Sequence, residues 1–472
     1  MLDPVVLAFE DREYRRAELD AYVNGLTATL MDRGVAPGDR VALMATNRPE
    51  FVMSLYAVWR AGAAVVLISS SWKRAEVAHV LELTRPVLGV GDQPLLAEFL
   101  PYLSLDEPIA LVAGAPLGPG YSACDDAVFV FSSGTTGMPK AVRHTHGAFA
   151  AAIGHWRDAL QLGPTDRLQI FTPPSHILGL LNIATVLDAG GWLRLHRRFD
   201  VDAMLAHIEK DRITVEMAVA PIALAIAAHP VLERYDLSSL RYVMWCATPV
   251  TESVAHEVTR RTGVSWVTAY GTSELPVLTC NRLVDAQLDT VGRPVPGVRM
   301  RVIASETGDE CPAGVAGDIV AQSDSVMVGY LPEDQTAEAF LPGADDDRWF
   351  RTGDIGYFDD DGWLHITDRA KEMIKVRGFQ VAPAEIESVL LGHPAVVDCA
   401  VFGVPDEANG EAIVAAVART RVVDAAELSE LVAERLASYK RLSKVVFVQE
   451  IPRLPSGKVL RRVLKERLWT SV

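Results

Sequence analysis

The sequence predicts an α/β protein of more than one domain: a large N-terminal domain of layered α/β subdomains with a small β subdomain, then a small α+β C-terminal domain. Three observations carry this. At 472 residues the chain is too long for one ordinary hydrophobic core. From position 39 onward, short β-branched apolar runs alternate with helical stretches, the rhythm of βαβ units with parallel strands. Beyond position 291 that rhythm gives way to short strands, and then to a stretch mixing two helices with strands.

In order, strands are expected at 40–45, 64–68 and 87–91, with helices at 50–60 and 73–83 between them. Asn47-Arg48-Pro49-Glu50 is a helix start signal, and Ala61-Gly62-Ala63 a stop signal. The apolar run 127–131 reads as a buried strand. Further strands are expected at 167–172, 192–195, 214–220, 241–246 and 264–269. Val291 to Gly297 opens the small antiparallel β subdomain, and helices are expected at 383–391 and 424–437. No repeats or low-complexity tracts occur.

Composition bounds the function. With 49% hydrophobic and 22% charged residues, the chain reads as globular and not disordered. The five cysteines (124, 246, 280, 311, 399) form no Cys-x-x-Cys pair, so neither a zinc site nor a disulfide framework is expected, and a reducing cytoplasm fits. Neither a signal peptide nor a membrane span is expected. A net charge of −16 argues against nucleic acid as a partner. Positive charge is concentrated late: from Lys371 on, 15 basic residues face 13 acidic ones, a net of +2 against −18 for the remainder.

The chemistry centres on Phe131-Ser132-Ser133-Gly134-Thr135-Thr136-Gly137-Met138-Pro139-Lys140-Ala141-Val142. Glycines let backbone N–H groups approach an anion closely, hydroxyls add donors and Lys140 adds charge, so phosphate is the natural guest. The spacing is not that of a Walker loop. A surface loop of Ser and Gly is the plain alternative.

Further motifs follow in order. They are Pro173-Pro174-Ser175-His176-Ile177-Leu178-Gly179, Tyr242-Val243-Met244-Trp245-Cys246-Ala247-Thr248-Pro249-Val250 and Ala269-Tyr270-Gly271-Thr272-Ser273-Glu274. Phe350-Arg351-Thr352-Gly353-Asp354, Asp368-Arg369-Ala370-Lys371, Lys375-Val376-Arg377-Gly378 and a terminal Pro455-Ser456-Gly457-Lys458 complete the series. Together they resemble, nearly end to end, the acyl-adenylating superfamily of acyl-CoA synthetases, coumarate-CoA ligase-like enzymes, luciferases and adenylation domains. Two departures stand out. Ala141 replaces a glycine, and Trp245 with Cys246 replaces two small residues.

The resemblance implies an ATP-dependent acid–CoA ligase that forms an acyl-AMP, releases pyrophosphate and then makes the thioester with CoA. It implies a boundary near Lys371 between an adenylate-forming domain (1–370) and a mobile C-terminal domain (371–472). Residue by residue, it assigns Ser132, Ser133, Gly134, Thr135, Thr136, Gly137, Lys140, Ala247, Tyr270, Gly271, Thr272, Ser273, Asp354 and Arg369 to the nucleotide. Glu274 would hold Mg²⁺, a hard cation that takes oxygen ligands. His176, Trp245, Cys246 and Ala269 would line the acyl pocket, with His176 as lining and not as a proton carrier. Lys371, Lys375 and Gly378 would serve the hinge and the CoA passage, and Lys458 would be catalytic.

The resemblance also bears on the acid: amino-acid-activating members of the superfamily carry an aspartate in the 173–179 turn to hold the ammonium, and none stands here, so an amino-acid substrate is not expected. No Arg or Lys stands in 177–184 to pair a second carboxylate, and burying an unpaired charge costs several kcal/mol. A dicarboxylate such as malonate is therefore not expected. Trp245, Cys246 and Ala269 stand where members of the superfamily use smaller residues and take space from the pocket floor, so a compact apolar acid is expected, of short or medium chain or with a small ring, and not a long fatty acid. The alternative is an acyl-AMP ligase loading a carrier protein. Luciferase-like oxygenation has no independent support, and a non-catalytic nucleotide sensor is disfavoured by Lys458, Glu274 and Asp354.

Overall fold

The computed structural model describes residues 3–133, 139–246, 252–342, 348–369, 372–376, 379–406, 410–436, 440–453 and 459–469. It is a mixed α/β protein with a large N-terminal and a small C-terminal domain, and its contacts divide into two compact units.

The first unit comprises 1–288, 292–299 and 321–350 and is built on two sheets. One has seven strands in the order Gly329–Leu331, Pro139–Thr145, Asp126–Ser133, Ala64–Leu67, Arg40–Met44, Leu88–Gly91 and Tyr102–Ser104. Its central pairings are parallel, as the alternating pattern demands. The helix between the first two parallel strands, Pro49–Arg60, starts on Pro49 and buries Phe51, Val52, Leu55, Val58 and Trp59. The Trp59 indole N–H reaches the Ala127 carbonyl at 2.8 Å, tying this helix to the strand that leads into the glycine-rich loop.

That strand does not lead into a helix. It turns back antiparallel onto Pro139–Thr145, with Ser132 opposite Lys140 and Phe131 opposite Ala141. The strands that flank the glycine-rich segment thus form an antiparallel hairpin pair. Gly329–Leu331 adds to the outer side of the hairpin, setting Tyr330 opposite Val142.

The second sheet has nine strands, in the order Arg293–Pro294, Thr279–Cys280, Trp266–Tyr270, Tyr242–Trp245, Val215–Ala218, Arg167–Ile170, Trp192–Leu195, Val5–Phe9 and Arg12–Arg15. Helices His146–Leu160 and Ile177–Asp188 pack together, joined by the Trp156 indole N–H donating to Asn182 Oδ1 at 2.7 Å. The opposite face carries helices Val201–Asp211, Ala220–Ala227 and Glu252–Thr262. There Met204, Leu205, Ile222, Ala223, Ala255 and Val258 share a core with Val243, Trp245 and Trp266. The N-terminal hairpin and the helix Arg16–Asp32 that follows it were not expected from the sequence.

The second unit comprises 289–291, 300–320 and 351–472. It holds most of a four-stranded sheet, ordered Val298–Ile303, Gly317–Ser323, Phe350–Phe358 and Leu364–Arg369. It also holds a five-stranded sheet centred on Gly410–Arg419, which pairs with Val396–Asp406, Ile374–Val376 and Lys444–Val448. Helices Pro383–Leu391 and Ala425–Arg435 bury Ile386, Leu390, Leu428 and Val432 on that sheet.

Candidate active site

Four side chains meet at the base of the hairpin. Glu274 is 9% exposed, and its Oε1 accepts two hydroxyls: Ser132 Oγ donates at 3.1 Å and the Tyr330 phenol at 2.8 Å. The Lys140 ammonium lies 3.3 Å from the centroid of the Tyr330 ring, a cation–π contact. Burial, reinforced by the neighbouring Glu274, holds the phenol's pKa well above the ordinary tyrosine value, so the hydroxyl stays protonated and donates. The Glu274 carbonyl is fixed as well, accepting from Met327 N at 2.8 Å.

The turn carrying Glu274 closes on itself. Thr272 N donates to the Leu275 carbonyl, and Leu275 N donates to Thr272 Oγ1, both at 3.0 Å. Gly271 is required there, since a Cβ would stand 2.0 Å from the Pro276 oxygen. The turn is braced from the hairpin by His144, whose Nε2 lies 2.8 Å from the Ser273 carbonyl. Burial lowers the His144 pKa, so the ring is neutral and Nε2 is the N–H donor to that carbonyl.

Strand parity sorts the residues expected around the acyl group. Val243 pairs with Trp266, Met244 with Val267 and Trp245 with Thr268. Trp245, 1% exposed, packs on Trp266 with ring centroids 5.3 Å apart, inside the core on the far face. The indole placed on the pocket floor by the sequence reading therefore fills the core. The opposite parity belongs to Tyr242, which donates to the Leu160 carbonyl of helix His146–Leu160 at 2.6 Å, and to Met244. By alternation Cys246 and Ala269 share that face, and both are buried. Burial pushes the Cys246 thiol up to about 12, so it is a packing group and not a nucleophile. His176 caps helix Ile177–Asp188, its Nδ1 accepting from Leu178 N at 3.3 Å, and burial lowers its pKa. A neutral capping ring suits a lining role.

In the second unit Asp354 is buried on strand Phe350–Phe358, opposite Arg369 in register. Its backbone N donates to Thr352 Oγ1 at 3.1 Å, and that hydroxyl donates to the Ile319 carbonyl at 2.9 Å. Of the other expected site residues, Gly134, Thr135, Thr136, Gly137, Ala247, Lys371, Gly378 and Lys458 lie outside the described residues. For Ser133, Arg369 and Lys375 only the backbone is described.

The donor set around Glu274 suits Mg²⁺. Its oxygens are hard ligands, and Mg²⁺ is usually held by one or two carboxylates together with substrate phosphates. Among the described residues no cluster of three His, Cys, Asp or Glu side chains forms, so this is not a dedicated protein cage. Tyr330 and His144 were missed in the sequence. A three-residue strand shows no periodicity, and His144 sits within a run where nothing marks its partner 129 residues away.

Comparisons with known proteins give the chain a family and a fold. A family model described as AMP-binding enzyme matches residues 2–331, and one described as AMP-binding enzyme C-terminal domain matches residues 385–458. A 4-coumarate–CoA ligase of Humulus lupulus is 31% identical over 96% of this chain and 89% of its own length. ATP-bound MatB from Rhodopseudomonas palustris superimposes with a TM-score of 0.91 at 29% identity, covering 98% of this chain and 96% of that one. The o-succinylbenzoate coenzyme A synthetase of Bacillus subtilis, in complex with ATP and magnesium ion, gives a TM-score of 0.87 at 27% identity. It covers 98% of this chain and 96% of that one.

Proposed function

Because the chain belongs to the AMP-binding enzyme family, we propose that it activates a compact apolar carboxylic acid, of short or medium chain or with a small ring, and passes the acyl group to free CoA. The chain is an AMP-forming acid–thiol ligase, with ATP, Mg²⁺ and CoA as cofactor and co-substrates. The observation that carries the adenylating step of the proposal is the cluster in which Ser132 and Tyr330 hold the Glu274 carboxylate beside Lys140.

In the first step a carboxylate oxygen attacks the α-phosphorus, the new C–O–P linkage forms and the bond to pyrophosphate breaks. Two anions must approach, so catalysis is mainly positioning and charge compensation. Mg²⁺, when bound at Glu274, supplies positive charge for the polyphosphate. The loop hydroxyls and Lys140 hold the departing phosphates, and Ser273 donates to the α-phosphate from its braced turn. Tyr270 offers a ring to the adenine, while Asp354 accepts the ribose hydroxyls and Arg369 serves the same nucleotide. Lys458, a compact charge on a flexible stem, stands for the group that bridges carboxylate and α-phosphate. In the second step the CoA sulfur attacks the acyl carbon and AMP leaves. Lys371 as hinge, near the boundary of the two domains, and Lys375 with Gly378 at the thiol passage complete the assignment.

The acid's class rests on the shared face of Cys246 and Ala269 and on helix Ile177–Asp188, which carries no Lys or Arg. Cytoplasmic residence belongs to the same proposal and agrees with five unpaired thiols. Among the described residues no helix is long and apolar enough to cross a membrane.

The test is CoA-dependent AMP formation over a panel from acetate to hexadecanoate, with small aromatic acids included. A small or ring acid as best substrate supports the reading, and hexadecanoate as best substrate refutes it. Acid-dependent pyrophosphate exchange without any free CoA thioester would point to a carrier protein as the acceptor.

A further inference from the structure

We infer that Tyr330 is a positioning residue that presets the metal-binding carboxylate and the loop lysine before nucleotide arrives. This rests on the reading of Glu274 as the Mg²⁺ ligand and Lys140 as a phosphate ligand.

Tyr330 comes from a part of the chain remote in sequence from the glycine-rich loop, and its backbone is fixed by contacts other than the two that its side chain makes. It sits opposite Val142 in the sheet, and its N–H donates to Thr336 Oγ1 at 2.9 Å. The side chain is 5% exposed and does two things at once. Its hydroxyl donates to Glu274 Oε1 at 2.8 Å, and its ring face lies 3.3 Å from the Lys140 ammonium.

Each contact has a separate physical consequence. Ser132 and Tyr330 converge on the same carboxylate oxygen, so the rotation of the carboxylate about its side chain is settled in advance. A preset ligand loses less freedom when a cation binds, which raises affinity without adding a contact. The ring face, for its part, offers Lys140 an attraction that costs little to leave, because a phosphate oxygen is a far stronger partner for an ammonium than a quadrupole. The hydroxyl serves the metal side and the ring serves the phosphate side.

The two contributions separate by substitution. Tyr330→Phe keeps the ring and removes the donor, Tyr330→Leu removes both, and Glu274→Gln removes the charge of the carboxylate itself. The measurement is binding of α,β-methylene-ATP to the full chain by titration calorimetry, once in EDTA and once at saturating Mg²⁺. The ratio of the two dissociation constants is the Mg²⁺ gain.

Losing a hydrogen bond to a charged acceptor predicts a Mg²⁺ gain about tenfold smaller in Tyr330→Phe, with affinity in EDTA unchanged. Tyr330→Leu loses the same gain and also weakens binding in EDTA. Glu274→Gln abolishes the gain. A full Mg²⁺ gain in Tyr330→Phe, alongside its loss in Glu274→Gln, overturns the inference. Equal weakening of Tyr330→Phe in both conditions overturns it too, since that marks a merely structural role. A full gain in Glu274→Gln instead refutes the metal assignment on which the inference rests. If Tyr330→Leu does not fold, Tyr330→Phe alone decides.

Discussion

The Nε2 of His144 lies 2.8 Å from the carbonyl oxygen of Ser273, and the imidazole is buried completely. One hydrogen bond thus ties the hairpin of the glycine-rich loop to the turn that carries Ser273 and Glu274. His144→Phe keeps the volume and leaves the carbonyl without its donor, a loss of about 1–3 kcal/mol. The melting temperature should fall, and pyrophosphate exchange should slow more than the thioester step from preformed acyl-AMP. Unchanged exchange would show that the turn holds its shape without this brace.

Trp245 and Cys246 are neighbours in sequence with opposite parity, and their substitutions should separate accordingly. Trp245→Ala empties a core site and should cost about 3–5 kcal/mol with little change in the order of preferred acids. Cys246→Gly should cost less and extend the range toward longer acids. Denaturant unfolding and a substrate panel on both variants check this. A broadened panel in Trp245→Ala would return the indole to the pocket.

Acid should destabilise the first unit through its buried histidines. Burial first, then His207 and Arg194, pushes His196 down to about 3. A histidine depressed in the fold binds its proton more readily when unfolded. Its contribution is complete above the unfolded value near 6.5 and falls as pH drops toward 3, by up to about 1.4 kcal/mol per pH unit. His196→Gln should flatten the loss of melting temperature between pH 6 and 4. An unchanged slope would mean that other groups carry it.

Glu216 predicts the opposite limb. It is fully buried, takes Gln169 Nε2 at 2.6 Å and Met217 N at 3.2 Å, and is pushed up to about 8 by burial. A carboxyl raised in the fold stabilises it fully below the unfolded value, and that contribution declines as pH climbs from about 4.5 to 8. Glu216→Gln should abolish the decline in melting temperature over this range. Persistence of the decline would exclude Glu216 as its source.

Lys458→Ala should abolish acyl-AMP formation and leave thioester formation from preformed acyl-AMP largely intact. Exchange and single-turnover assays measure the two steps separately. Equal loss in both would remove Lys458 from the adenylation step.

Much of this could be read in the sequence, for reasons that differ by residue. The buried parallel strands around Val65 and Val128 announce themselves, because both faces are covered and the runs are continuously apolar. Gly271 could be placed because its neighbours form a motif. Trp245 could not, since a continuous run from Tyr242 to Cys246 hides which parity faces the ligand, and only cross-strand register resolves it. The hairpin was equally hidden: a strand followed by Gly, Ser and Thr is compatible with a following helix or a returning strand. Tyr330 left no local trace, because its role depends on two partners that are distant in the chain.

The hairpin has a further consequence, for the order in which the protein comes off the ribosome. Ser132 and Glu274 are separated by 142 residues, and Tyr330 is made later still. At ordinary elongation rates the Pro139–Thr145 edge waits roughly 10–40 s for the strand that covers it. During that interval Ala141 and Val142 lie on an open, apolar sheet edge, the kind that pairs with other chains. Nascent chains halted before Gly329 should accordingly be the aggregation-prone ones and the natural clients of chaperones, and release past Leu331 should end that exposure.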